Sequence, residues 1–181
     1  MADNLIADHI LDRPNSYIGR TVPRPNAKRL LSGHGTFTDD IKLPRMTHVA
    51  FVRSPLAHAE IVSIDKSAAE AADGVVAVVT GSEMAEFCAP WVGVLSHLEG
   101  LKSAPQHALA VNKVSWQGEA LIAVVAQSRA QAEDAAELVQ VDWKELPVVA
   151  DMETALDPDT PVIHPDLGDN QAWVRNFSTE G

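Results

Sequence analysis

Along the chain, short apolar runs of period two alternate with short alanine-rich segments of helical period, and turn residues close each of them. In residues 47–53 (THVAFVR), Val49 and Phe51 alternate with small or polar neighbours, which predicts a strand ended by Ser54–Pro55. Residues 59–65 (AEIVSID), anchored by Ile61 and Ile64, predict the next strand. Asp65 is placed to cap a short helix over 67–72, which Asp73–Gly74 closes. The unbroken β-branched run at 75–79 predicts a strand covered on both faces. Thr80-Gly81-Ser82-Glu83 fits a capping box, in which the hydroxyl takes the amide three residues on and the carboxylate reaches back. A short helix through Phe87 follows from it.

Next comes a loop of about twenty residues, 88–108, and unstructured loops of that length are uncommon inside compact domains unless functional. It carries Trp91, Leu95, Leu98 and Leu101, too apolar for a solvated spacer, so a pocket or an interface is expected there. Residues 113–116 and 121–127 predict two strands flanking Gln117-Gly118-Glu119, a tight-turn signal. Ser128 with Gln131 predicts a second capping box opening a helix over 129–139. That helix turns Ala132, Ala135, Ala136, Leu138 and Val139 toward a sheet and Glu133, Asp134 and Glu137 outward. A last strand at 139–144 ends at Leu146–Pro147, with one helical turn expected from Asp151 or Met152 to Leu156. The pattern gives an α+β domain, short strands with one main helix packed on the sheet. Three prolines and a basic cluster mark 1–32 as an extended arm; the folded domain spans 33–156, and 157–181 reads as a tail.

Composition narrows the classes. The chain has 181 residues, about one domain's worth, and 46% of them are apolar. Twenty-five acids against fourteen bases leave a net charge of −11, which disfavours nucleic acid and anionic membrane as partners. No run approaches the eighteen apolar residues of a membrane span, and the first residues lack a basic leader, so a cytoplasmic protein is expected. The single cysteine, Cys88, excludes an internal disulfide and any thiolate-held zinc or iron–sulfur site within the chain.

Candidate chemistry is sparse. The seven histidines form no metal-binding spacing, and the nearest pair, His48 and His58, is split by a strand and a proline turn. There is no Gly-x-Ser-x-Gly elbow, and Gly81–Ser82 sits where a hydroxyl merely caps. Cys88 with His97 or His107 is the only nucleophile arrangement worth naming, and a lone cysteine after a helix is ordinarily inert. Gly33-His34-Gly35 and Asp39–Asp40 read as turn chemistry. No catalytic, cofactor-binding or metal-ligating residue is identified in this chain.

Four blocks carry a resemblance. IGRTVPRPNAKRLLSGHGTFTDDIKLP followed by MTHVAFVRSPLAHAEIVSID, then GVVAVVTGSEM, then KVSWQGEALIAVVAQSRAQAEDAAELVQVDWKELPVV, then VIHPDLGDN resemble the opening of the molybdenum hydroxylase large subunit. That family comprises xanthine dehydrogenase, aldehyde oxidase and aerobic carbon monoxide dehydrogenase. Ala120 departs from it, since the family often has proline after Gly-Glu. The resemblance implies the α/β hammerhead domain, and an oxidoreductase whose molybdopterin–Mo centre, [2Fe-2S] clusters and FAD lie outside this chain. The chain itself is expected to be the N-terminal part of such a large subunit, as a split subunit or a truncated product, to be catalytically inactive, to bind none of those cofactors alone and to support the molybdenum site. Its expected partners are the molybdopterin-binding remainder of the large subunit, an iron–sulfur subunit and an FAD subunit. In related enzymes the equivalent of the 88–108 loop approaches the substrate funnel, which makes Trp91, Leu95, Leu98 and Leu101 funnel-wall candidates. The rival expectations are a non-catalytic interaction module that has lost its link to molybdenum, and a small hydrolase using Cys88 or a serine.

Overall fold

The computed structural model describes residues 17, 24–93, 95 and 97–178. The chain divides into two compact units, Met1–Pro44 and Arg45–Gly181. Most of the stretch read as an arm lies outside the described residues, but Ala27–Leu31 form a short helix, α1. Ala-Lys-Arg-Leu-Leu are all good helix formers. Gly33, at φ +76°, ends α1 in a Schellman arrangement: its amide donates to the Leu30 carbonyl and the His34 amide to that of Arg29. Thr38–Asp40 make one 3-10 turn, with the Asp40 carboxylate accepting from the Phe37 amide at 2.9 Å.

The second unit holds two three-stranded antiparallel sheets. In one, β1 (His48–Arg53) and β3 (Val75–Thr80) flank β5 (Ala120–Ala126). In the other, β4 (Lys113–Val114) and β6 (Gln140–Glu145) flank β2 (Ala59–Asp65). The main helix, α4 (Arg129–Glu137), lies on the first sheet. Its buried Ala132 and Ala135 allow the close approach that larger side chains would forbid. Ser128 caps it through the Gln131 amide, although Gln131 turns its side chain to the Ser128 hydroxyl rather than back to the Ser128 backbone. Leu138, expected to face the sheet, is exposed because α4 has already ended, while Val139 packs on the core.

The core is centred on Leu121, Ile122 and Val124 of β5, with Val114 and Ala59 from the second sheet. β5 is therefore the strand covered on both faces. β3, which had been expected to fill that role, is a sheet edge and leaves Val76 exposed. Its β-branched run does fit a strand, but composition alone carries no information about which strand is central.

Two further expectations fail, one through topology and one through a local hydrogen bond. Gln117-Gly118-Glu119 does not close a hairpin, since β4 and β5 belong to different sheets. The turn instead hands the chain across, and Ser54 fastens it: the Ser54 amide donates to the Glu119 carbonyl and the Gly118 amide to that of Ser54. Residues 151–156 form turns rather than helix, with the Asp151 carboxylate accepting from the Glu153 amide. The two short helices after β2 and β3 are α2 (Ser67–Glu70) and α3 (Gly81–Ala85). Asp65 caps the first by accepting from the Ser67 amide and hydroxyl. Both halves of the Thr80–Glu83 capping box are present at the second.

Candidate functional site

The 88–108 loop follows α3 and returns at Leu109–Ala110, which lies against the first residue of α3. Gly81 opens α3 directly against the Leu109–Ala110 backbone. A Cβ there would stand 2.6 Å from the Ala110 carbonyl carbon and nearer still to its oxygen. Glycine is required here by the approach of another backbone, not by an unusual φ. Near its start, Trp91 and Gln106 exchange both backbone hydrogen bonds at 2.8 Å, so the loop is a closed flap. The Ser103 hydroxyl accepts from the Gly93 amide, and the Trp91 ring lies over Gly93 so closely that a Cβ there would come within 2.9 Å of it.

The four funnel candidates occupy different places on this flap. Trp91 (64% exposed) and Leu95 (50% exposed) present apolar surface outward, while Leu98 and Leu101 are half-buried. The Leu98 amide donates to Leu95 and the Leu101 amide to Leu98, so these three follow one another through tight turns. Trp91 stands apart from them, at the flap's hydrogen-bonded base.

The flap is tied to the segment beyond β6. The Lys102 amide donates to the Ala172 carbonyl, the Trp173 indole to that of Glu99, and Lys102 pairs with Asp169 at 2.6 Å. Asn170 organises this segment: its Oδ1 accepts from Ile163, and its amide group donates to Ala155 and Pro161. Between flap and segment lies an open cavity of about 500 Å³, bordered by Lys102, Gln106, Met152, His164 and Asn170. A neighbouring hollow of about 300 Å³ is bordered by His107, Lys113, Trp116, Glu119 and His164. None of the four funnel candidates lines either hollow. Sequence reading missed Lys102, Lys113, His164 and Asn170; the only signal pointing to the last two was that their VIHPDLGDN block was distinctive.

The electrostatics of these hollows are those of a fastening. Lys113 donates its ammonium to the Ile163 carbonyl at 2.7 Å. Burial, and then the Lys113 charge and His58, hold the His164 imidazole below its usual value. Burial pushes the Glu119 carboxyl up, against the hydrogen bonds it accepts from the Ser115 and Trp116 amides. His58 is 7% exposed and donates from Nδ1 to the Pro147 carbonyl at 2.7 Å; its Nε2 is buried without a partner among the described residues.

The donor chemistry does not suit a resident [2Fe-2S] cluster. A [2Fe-2S] cluster needs four thiolates or their equivalents, and the chain has one cysteine, exposed, with its Sγ 3.7 Å from the Met84 sulfur. No group of three or more His, Cys, Asp or Glu side chains is gathered for a metal ion among the described residues. Around the larger cavity, Lys102 and Asn170 are already spent on Asp169 and on three backbone groups. No histidine hydrogen-bonds to Cys88 among the described residues, which leaves the Cys88 nucleophile without a base in this geometry. No described helix is long and apolar enough to cross a membrane.

Comparison with known proteins supplies the context. Residues 32–147 match the family described as aldehyde oxidase and xanthine dehydrogenase, a/b hammerhead domain. The chain is 40% identical over 149 residues to the nicotine 6-hydroxylase large subunit of Paenarthrobacter nicotinovorans, covering 78% of this chain and 18% of that one. It is 41% identical over 147 residues to the carbon monoxide dehydrogenase large chain of Afipia carboxidovorans, covering 81% and 17%. Among solved structures it is similar to quinoline 2-oxidoreductase from Pseudomonas putida 86, with a TM-score of 0.73 at 44% identity over 77% of this chain and 18% of that chain. The chain thus spans less than a fifth of each of these relatives.

Proposed function

Since the chain belongs to the a/b hammerhead family of aldehyde oxidase and xanthine dehydrogenase, we propose that it serves as the N-terminal part of a molybdopterin-dependent hydroxylase large subunit. In this reading it is cytoplasmic, performs no bond chemistry, and holds the molybdenum-bearing remainder and the substrate funnel in place. The observation that carries the reading is the match over 78–81% of the chain to large subunits of which it spans only 17–18%. A resident molybdopterin and its metal would supply the oxidation, on residues outside this chain. The chain's own contribution is mechanical: the flap is closed at its base by the Trp91–Gln106 pair and tied along its length through Lys102–Asp169 and the Trp173 indole.

Trp91, Leu95, Leu98 and Leu101 then act as funnel-wall residues that select substrate shape. Apolar walls discriminate by size and shape, on the order of 1–3 kcal/mol per methylene-scale change. Two experiments test the reading. Deleting the coding segment in the native cells should abolish a molybdenum-dependent oxidation, and a copy of the gene should restore it; undiminished activity would refute the role. In the assembled enzyme, Trp91→Ala and Leu98→Ala should change the ratio of kcat/KM between a large and a small substrate. An unchanged ratio would remove the funnel assignment and leave the supporting role intact.

A further inference from the structure

Residues 147–164 are fastened to the second sheet by nitrogen-bearing side chains, and two of the groups at that joint are histidines. His58, directly before β2, holds the start of the segment twice. Its carbonyl accepts from the Leu146 amide at 3.0 Å, and its Nδ1 donates to the Pro147 carbonyl at 2.7 Å. Lys113 of β4 holds the far end through the Ile163 carbonyl. Half-buried His164 comes next in the chain and feels the charges of both Lys113 and His58, with Asp166 opposing them. Glu119 and exposed His107 border the same hollow as His164 and Lys113.

Both rings are better placed neutral than charged. With its proton on Nδ1, His58 keeps a bare lone pair on Nε2, which is buried without a partner among the described residues. A second proton would turn that lone pair into a buried, charged N–H with no acceptor, which costs far more than an idle lone pair. At His164, burial and then the two neighbouring charges also favour the neutral ring, and Asp166 offsets them only in part. Once released into water, an imidazole takes up its proton at about pH 6.5. A ring that binds protons less readily docked than released favours release as the pH falls through that value. Glu119 works the other way, since burial raises its carboxyl and a proton there favours the docked state.

We propose that His58 and His164 form an acid-opened latch: neutral, they let residues 147–164 lie against β2 and β4, and charging them releases this segment while the core stays folded. The latch lies within the chain and stands apart from the functional reading above.

The test is amide hydrogen exchange on the whole chain at about pH 7.5 and about pH 5, corrected for the intrinsic pH dependence of exchange. Protection of the Leu146 amide, which spans the joint, is expected to fall by about tenfold or more relative to Val124 in the middle of β5. The loss should follow the titration of the His58 and His164 ring protons, read by NMR in the same samples. The paired variant His58→Asn with His164→Gln keeps a donor for Pro147 but takes up no proton, and its protection should not change with pH. Glu119→Gln lacks the opposing group and should lose at least as much protection as the wild type, while His34→Gln, far along the chain and exposed, should match it. Unchanged protection at Leu146 in the wild type would overturn the latch. So would Leu146 and Val124 losing protection together, which is general acid unfolding. A loss that persists in the paired variant, or that departs from the ring titrations, would assign the release to other groups and overturn the role of the two histidines. The wild-type profile needs no variant, so a paired variant that fails to fold leaves the proposal decidable.

Discussion

Replacing Gly81 by alanine tests the contact between the start of α3 and the Leu109–Ala110 backbone that follows the flap. The added Cβ would lie 2.6 Å from the Ala110 carbonyl carbon and 2.9 Å from the Leu109 carbonyl oxygen, and both are backbone atoms with no rotamer to change. One side, α3, is held by the Thr80–Glu83 box, and the other by the Ala110 amide, which donates to the Ala120 carbonyl at 2.8 Å. Either could yield only by breaking a hydrogen bond or shifting a helix. Overpacking of this kind costs roughly 1–3 kcal/mol and sometimes more. Alanine in place of glycine in a helix returns about 1 kcal/mol at most. A net loss of about 1 kcal/mol lowers the melting temperature by roughly 2–4 °C in a chain of this size. Urea and thermal unfolding followed by tryptophan fluorescence would measure it, with the exposed neighbour Ser82→Ala as control. A Gly81→Ala chain melting at or above the wild type would refute the claim that backbone contact demands glycine there.

Three other substitutions probe the fastenings. Hydrogen bonding from Lys66 and then from the Thr80 amide holds the Glu83 carboxyl down to about 2, so its contribution is full above about 4.5 and is lost as the pH falls toward 2. Half-exposed Glu83 makes Glu83→Gln about 1 kcal/mol less stable at pH 7, after allowing for solvent screening, and the deficit should vanish near pH 2 in a series of melts. At Glu119 the sign is opposite: burial raises its carboxyl, so the charged form costs stability at neutral pH and the cost is relieved as the pH falls. Glu119→Gln, which still accepts from the Ser115 amide, should therefore melt higher than the wild type at pH 7 and equal to it in acid. Asn170→Ala removes three hydrogen bonds at once and should cost about 2–3 kcal/mol by urea unfolding; a loss under about 0.5 kcal/mol would show that Asn170 does not organise the segment.

Local signals read correctly at most of the helix starts. The capping residues Asp65, Thr80 and Ser128 and the small face of α4 needed only neighbouring residues to be interpreted. What escaped was decided by partners far along the chain. The valine-rich β3 looked more central than β5, yet β5 takes the middle because β1 and β3 both pair with it. The Gly118 turn looked like a hairpin because the sequence cannot tell whether its two strands share a sheet. The funnel candidates stood out as apolar residues in a long loop, whereas Lys102, Lys113, His164 and Asn170 are ordinary polar residues. Their roles appear only once residues 147–173 fold back onto the flap and β4. Apolar residues on β1 were equally visible, but period two alone does not say which of a strand's two faces the core will take.

The most direct measurement is the metal content of the tagged chain purified from its own cells, together with the identity of every chain that accompanies it. Molybdenum and iron arriving with a molybdopterin-binding polypeptide and an iron–sulfur subunit is the predicted result. A metal-free chain without those companions would contradict the account and leave a hammerhead domain with some other task.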